Sequence, residues 1–264
     1  MTADSPALQG LPRYDRGWAL FLDVDGTLLD FAGRPEAVVV PPSLSQDLQR
    51  IYRFNDGAVA LVSGRHVSDL DRLFGPVRYP AAGQHGLERR DASGNTRILD
   101  DGALGILASA SGLRDQMRGL QGVYVEHKGL TIAVHYRLAP HLRERVAEVT
   151  RSLLAELGNE FKLIDGNMVF EICPRAKDKG VAISEFMREA PFVGRLPVFV
   201  GDDTTDEDGF ALINRLNGLS MKVGTGVSVA RWRVADPSSV REWLAAYADY
   251  LARGRPSAEG AVVP

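Results

Sequence analysis

Asp23 and Asp25 stand two residues apart at the end of the apolar run Trp18 to Leu22, with Gly26 and Thr27 behind them. A short apolar run that stops at carboxylates reads as a buried parallel strand. Ligands of open α/β sheets bind at the carboxyl ends of such strands. Three further segments carry polar residues at comparable places. Ser63 and Arg65 follow the apolar run Ala58 to Val62, and Lys179 opens a helix at Lys179-Gly180. Asp202, Asp203 and, one turn later, Asp206 follow Pro197 to Val200. Parallel strands bring all of these to one sheet edge. Carboxylates crowded into one crevice repel each other, so either some are protonated or a cation neutralises them. An oxygen-only set without His or Cys suits a hard ion, Mg²⁺. Lys179 and the Ser63 hydroxyl suit phosphate oxygens. A carboxylate not committed to metal can attack phosphorus, and its neighbour two residues on can protonate the leaving alcohol and then deprotonate water. The pattern predicts phosphoryl transfer. Singly, each piece has a plain reading: an Asp-Gly turn, a Ser-Gly turn, a solvated lysine, an acidic helix start. Their order and spacing together oppose coincidence.

The elements that must position these residues can be read from apolar periodicity. Leu44, Leu48 and Ile51, then Val67, Leu70, Leu73 and Phe74, mark two helices. Val77 to Ala82 reads as a third strand, ending at Gly83-Gln84-His85-Gly86. The pattern then changes. Leu104, Leu107, Leu113, Met117 and Leu120 fit a helix, and Val123 to Arg137 alternates. Ile132, Val134 and Tyr136 share one face; Thr131, His135 and Arg137 share the other, where His135 and Arg137 read as solvated. Leu142, Val146, Val149, Leu153 and Leu157 form a second helix, and Met168, Phe170 and Ile172 alternate again. This is an α+β module whose sheet is expected to have one wet face. Buried strands return at Pro197 to Val200 and Leu219 to Val223, and Val240, Trp243, Leu244, Tyr247 and Leu251 mark a closing helix. The expected fold class is α/β: a doubly wound parallel sheet with an inserted α+β domain. The core is expected over 14–103 and 175–253, the insertion over 104–174, and flexible tails over 1–13 and 254–264.

Composition narrows the class. An apolar share of 45% and a charged share of 25% in 264 residues are ordinary for a soluble globular chain. A net charge of −3 gives no basic footprint for nucleic acid. The single cysteine, Cys173, excludes an intrachain disulfide and suits a reducing cytoplasm. No run approaches the ~18 apolar residues of a membrane span, and the N-terminus has no signal-peptide pattern. The expected partner is a small-molecule substrate, and the expected state a monomer.

The motifs Asp23-Val24-Asp25-Gly26-Thr27, Ser63, Lys179 and Gly201-Asp202-Asp203-Thr204-Thr205-Asp206 resemble those of the haloacid-dehalogenase-like (HAD) phosphohydrolases, in the same order. The resemblance implies that Asp23 is the nucleophile and Asp25 the general acid/base. It implies that Mg²⁺ is held by the Asp23 side chain, the Asp25 carbonyl and Asp202, with Asp203 and Asp206 acting through water or supporting the ligands from behind. It also implies that the insertion is a substrate-selecting cap. Within that superfamily, VSGR at 62–65, HGLERR at 85–90, EHKGLTIAVHYR at 126–137, FEICPRAKDKG at 170–180, GDDTTDEDGF at 201–210 and KVGTG at 222–226 resemble the trehalose-6-phosphate phosphatases. The resemblance runs from about Trp18 to Leu251. It implies trehalose 6-phosphate as substrate and a functional link to a trehalose-phosphate synthase. It implies sugar contacts from Glu126, Lys128 and Glu171, with His85, Gly86 and Arg89 near the core–cap seam. Thr27, Gly64 and Arg65 complete the expected substrate-binding set. Asn167 and Ala176 depart from the Lys and Gly common in relatives, which bears on the strictness of sugar choice. The alternatives are a phosphatase for another sugar phosphate, such as sucrose 6-phosphate, a phosphotransferase or mutase, and a non-catalytic sugar-phosphate sensor.

Overall fold

A computed structural model of the chain describes residues 10–31, 37–98 and 111–253. The tails expected to be flexible fall outside these residues, except for 10–13. So does the first part of the helix expected from Leu104; residues 111–117 of it are helical.

Two sheets organise the molecule. The larger contains β1 (Trp18–Leu22), β2 (Val59–Val62), β3 (Ala81–Gly83), β4 (Glu88–Arg90), β5 (Thr96–Ile98), β10 (Leu196–Gly201), β11 (Leu219–Val223) and β12 (Trp232–Val234). Its order is β12-β11-β10-β1-β2-β3-β4-β5, parallel from β12 through β3 and antiparallel at β4 and β5. β1 is buried along its whole length, which is why it reads as an unbroken apolar run. Its side chains alternate between two cores. Trp18, Leu20 and Leu22 join a cluster with Leu44, Leu48 and Ile51 of the Pro42–Phe54 helix and with Trp243 and Tyr247 of the Pro237–Arg253 helix. Ala19 and Phe21 join the opposite cluster, with Ile183 and Phe186 of the Lys179–Phe186 helix and Phe210 and Ile213 of the Glu207–Arg215 helix. The chain runs outward from β1 to β2 and β3 on one side, then returns to β10 on the other. The carboxyl ends of β1 and β10 therefore meet at a topological switch point.

The smaller sheet is antiparallel: β6 (Tyr124–His127), β7 (Ile132–His135), β8 (Phe161–Gly166) and β9 (Val169–Pro174), in the order β6-β7-β9-β8. One face packs Ile132, Val134, Phe170 and Ile172 against Val146, Val149 and Leu153 of the Arg143–Leu157 helix. The other carries Glu171, which lies between Ala133 and Ile164 in the register. That face is not wet throughout: Thr131 and Glu171 are buried, because it lies against the strand ends of the large sheet. His135 and Arg137 are half-buried rather than solvated. His135 meets Glu126 at 2.9 Å, and the Arg137 guanidinium lies over the Phe31 ring at 4.8 Å.

The expected third strand shrinks to Ala81–Gly83, since Pro80 cannot donate to a ladder. β4, β5, β8 and β12 are strands that periodicity did not reveal. β4 is Glu-Arg-Arg, and β5 is exposed on all three residues. Among the described residues no helix is long and apolar enough to cross a membrane.

Candidate active site

The chain leaves β1 into a tight loop. The Asp23 N–H donates to the Val200 carbonyl (3.0 Å), so the first carboxylate is tied to the end of β10. The N–H groups of Leu28 and Leu29 donate to the Val24 carbonyl (2.9 and 3.0 Å), which curls residues 24–29 back on themselves. Gly26 is needed in this loop. Its φ is +81°, and a Cβ there would lie 2.2 Å from Asp202 Oδ2.

Asp23 is 4% exposed and its Oδ1 accepts from Lys179 Nζ at 2.7 Å. Lys179 is the first residue of its helix, whose start is capped by Asp178 Oδ1 accepting from the Val181 N–H. The same ammonium donates to Asp206 Oδ1 at 2.6 Å. Asp206 Oδ2 accepts from the N–H groups of Asp202 and Asp203, both at 2.9 Å. Asp206 thus fixes both the lysine and the loop that carries Asp202. Thr27 Oγ1 donates to Asp202 Oδ1 (3.4 Å), and Lys222 Nζ donates to the Asp202 carbonyl. Asp203 is turned elsewhere: its side chain caps the short turn Thr204–Asp206.

Asp25 is gripped by Arg65, whose Nε and one terminal nitrogen each donate to a separate carboxylate oxygen at 2.6 Å. Ser63 Oγ accepts from the Arg65 N–H at 3.1 Å. Ser63, Gly64 and Arg65 therefore form one small loop at the end of β2, facing the loop that holds Asp23 and Asp25.

Asp23, Asp202 and Asp206 each offer an oxygen such that all three lie within 4.8 Å of one another. Burial, then the neighbouring Asp23 and Asp206, pushes Asp202 up to about 9. Burial outweighs Lys179 and pushes Asp23 up to about 7. Lys179, although buried, is held above the usual lysine range by Asp206 and Asp23. One lysine does not neutralise this set, and the donors are all oxygen. The chemistry of the set fits a hard divalent cation.

On the cap side, Glu171 is the hub. Thr131 Oγ1 donates to its Oε1 (2.6 Å), and Lys128 Nζ (3.2 Å) and His85 Nε2 (3.4 Å) meet its Oε2. Burial would raise this carboxyl, but Lys128 and His85 overcome it and hold Glu171 well below the usual range. Lys128 Nζ also reaches the Gly64 carbonyl at 3.5 Å, across the seam. Gly64 leaves room for the His85 ring, which a Cβ would meet at 2.9 Å. Gly86, with φ +100°, lets the chain pass close to the Asp178 carbonyl.

Most of the residues singled out by sequence therefore converge, and the exceptions are specific. Arg89 pairs with Glu189 (2.7 Å) and lies over the Phe186 ring (4.1 Å), away from the carboxylates. Glu126, on β6 two residues before Lys128, bonds His135. Asn167 is exposed in the β8–β9 turn, where its carbonyl accepts from Arg137. Thr131, Gln84 and Lys222 also reach the site or its seam and were not read as site residues. Lys222 is the next-to-last residue of β11 and lies opposite Gly201, beside Asp202, so the strand-end argument used for Asp23 applied to it as well. Thr131 and Gln84 carried no such signal.

A parallel sheet with three carboxylates and a lysine at its switch point, covered by an inserted α+β unit, is a HAD-like fold. The chain belongs to the trehalose-phosphatase family, whose model matches residues 21–242. It is 43% identical over 234 residues to the trehalose-6-phosphate phosphatase of Escherichia coli (strain K12), covering 88% of this chain and 87% of that one. It is 41% identical to a probable trehalose-phosphate phosphatase of Sinorhizobium fredii, covering 84% and 83% of the two chains. In fold it resembles the C-terminal domain of Candida albicans trehalose-6-phosphate phosphatase, with a TM-score of 0.76, 21% identity, and 88% and 92% of the two chains covered. It also resembles a phosphatase of the HAD superfamily from Bacteroides thetaiotaomicron, with a TM-score of 0.56, 17% identity, and 92% and 99% covered. The chain is accordingly a phosphatase.

Proposed function

We propose that the chain hydrolyses trehalose 6-phosphate to trehalose and phosphate, with Mg²⁺ as cofactor and Asp23 as nucleophile. The observation that carries the chemistry is the buried Asp23–Lys179–Asp206 cluster, with Asp25 two residues from Asp23. The choice of sugar is supported by the family and by Thr131, Lys128 and Glu171 standing opposite the Ser63–Arg65 loop.

In the proposed sequence an Asp23 oxygen attacks phosphorus as the bond to the sugar oxygen breaks, and Asp25 gives that oxygen a proton. Asp25, now a carboxylate, takes a proton from a water that attacks the phosphoryl group on Asp23. Phosphate leaves and both side chains are restored. Lys179 is held where charge develops on the phosphoryl oxygens, and the Ser63 hydroxyl supplies a second donor. Because Arg65 engages both Asp25 oxygens, proton delivery requires at least one to be released; the incoming phosphate offers the guanidinium another partner. Bound Mg²⁺ would supply the charge that lets Asp23 and Asp202 be ionised together. The side chains of Asp23 and Asp202 and the Asp25 carbonyl would hold it, and Asp206 would support it from one bond further out, while Asp203, whose side chain caps the Thr204–Asp206 turn, would act only by shaping that loop.

The proposal keeps residues 14–103 and 175–253 as catalytic core and 104–174 as cap. A cytoplasmic monomer, linked in function to a trehalose-phosphate synthase that makes its substrate, belongs to the same reading.

A site that recognises sugar hydroxyls by directed hydrogen bonds penalises loss of those bonds strongly. Lys128→Ala and Glu171→Gln are expected to raise KM for trehalose 6-phosphate by about tenfold or more. Turnover of an aryl phosphate, which has no such hydroxyls, is expected to stay near the wild-type value. Steady-state kinetics on both substrates checks this, and equal losses on both would contradict the sugar role.

A further inference from the structure

Gln84 is 1% exposed and lies outside the chemistry just described, yet its backbone is held at φ +45° and that of His85 at φ +58°. Two consecutive non-glycine residues in the left-handed region persist only where their surroundings fix them. Here the surroundings are the Ser63–Arg65 loop and the cap. The Gln84 N–H donates to the Arg65 carbonyl (2.9 Å), and the His85 N–H to the Ser63 carbonyl (3.0 Å). The third carbonyl of that loop, Gly64, accepts from Lys128 of the cap.

The Gln84 side chain spans the seam. Its Nε2 donates to Glu88 Oε1 at 2.7 Å and lies 3.2 Å from His66 Nδ1. Its Oε1 accepts at 3.3 Å from the Leu130 N–H, in the turn between β6 and β7, which it shares with the Lys128 carbonyl at 2.9 Å. An ionised carboxylate only accepts, so Glu88 fixes which end of the amide faces the cap. Glu88 in turn accepts from the Val67 N–H (2.8 Å), which begins the helix just after Arg65. Through its side-chain amide Gln84 thus joins a cap backbone group to the Glu88 carboxylate that caps the helix after Arg65, and through its own backbone N–H it holds the Arg65 carbonyl.

We propose that Gln84 is a positioning residue that couples docking of the cap to placement of the Arg65 guanidinium on Asp25. This rests on the function proposed above. A substrate whose sugar fills the cap needs the coupling, whereas a small aryl phosphate does not.

Gln84→Asn tests it in the full chain with the least backbone strain, because Asn tolerates the left-handed region but is one methylene too short to span Leu130 and Glu88. Loss of one such hydrogen bond is expected to lower kcat/KM for trehalose 6-phosphate about three- to tenfold, with aryl phosphate turnover within about twofold of wild type. Gln84→Met removes both polar ends and is expected to give the same split. Amide hydrogen exchange supplies a readout that needs no substrate. Protection at Leu130, whose N–H keeps the Lys128 carbonyl as an acceptor, is expected to fall about two- to threefold in Gln84→Asn, while the β1 amides are unchanged. If the wild type shows no preference for trehalose 6-phosphate, the substrate reading fails and exchange at Leu130 alone judges Gln84. Unchanged protection at Leu130, or equal loss on both substrates, overturns the proposal.

Discussion

Asp23→Asn is expected to lower kcat by about a thousandfold or more while the protein stays folded. The amide cannot act as a nucleophile, and no neighbour is placed to replace it. Asp25 is two residues away but is bound at both oxygens by Arg65, and Asp206 is held by Lys179 and two backbone N–H groups. The fold should survive because Asp23 is destabilised as a carboxylate. Burial and its acidic neighbours push it up to about 7, so a neutral side chain of the same shape relieves repulsion. Thermal melting and phosphate release, measured on the same preparation, check both halves. Retention of more than a few per cent of activity by a folded variant would remove Asp23 from the role of nucleophile.

Lys179→Met is the second large effect, and it should damage stability and chemistry together. Lys179 is 2% exposed and its ammonium bonds two buried carboxylates. Removing one partner of a buried ion pair leaves uncompensated charge and costs about 3–5 kcal/mol. The same substitution removes the cation that faces the phosphoryl group, so kcat is expected to fall by at least about a hundredfold. Urea unfolding and initial rates check the two effects. A Lys179→Met protein as stable and as active as wild type would show that the ammonium is a bystander.

Much of this site was legible because each chemical residue sits at the end of a buried parallel strand or opens a helix. Such positions leave a local signature: an apolar run that stops abruptly at a polar residue. Asp23, Ser63 and Asp202 are all of this kind, and Lys179 follows a capping Asp178. What was not legible depends on pairing across the seam. Thr131 alternates with apolar residues like any exposed strand residue; it is buried only because Glu171 of another strand and the core lie against it. Gln84 carries no periodicity, and its left-handed backbone is imposed by the Ser63–Arg65 loop. Arg89 fails in the opposite sense. The family resemblance placed it near the seam, but β4 turns its side chain toward Glu189. The short strands β4, β5 and β12 were missed because strands three residues long have too few positions to show a period.

The most direct test is phosphate release by the full chain from trehalose 6-phosphate, sucrose 6-phosphate, glucose 6-phosphate and an aryl phosphate, each with Mg²⁺ and with chelator. Release that requires Mg²⁺ and prefers trehalose 6-phosphate by about a hundredfold, or roughly 3 kcal/mol of transition-state selectivity, is the predicted result. Equal release from all four would contradict the assigned role of Thr131, Lys128 and Glu171, and release undiminished by chelator would contradict the cation at Asp23 and Asp202.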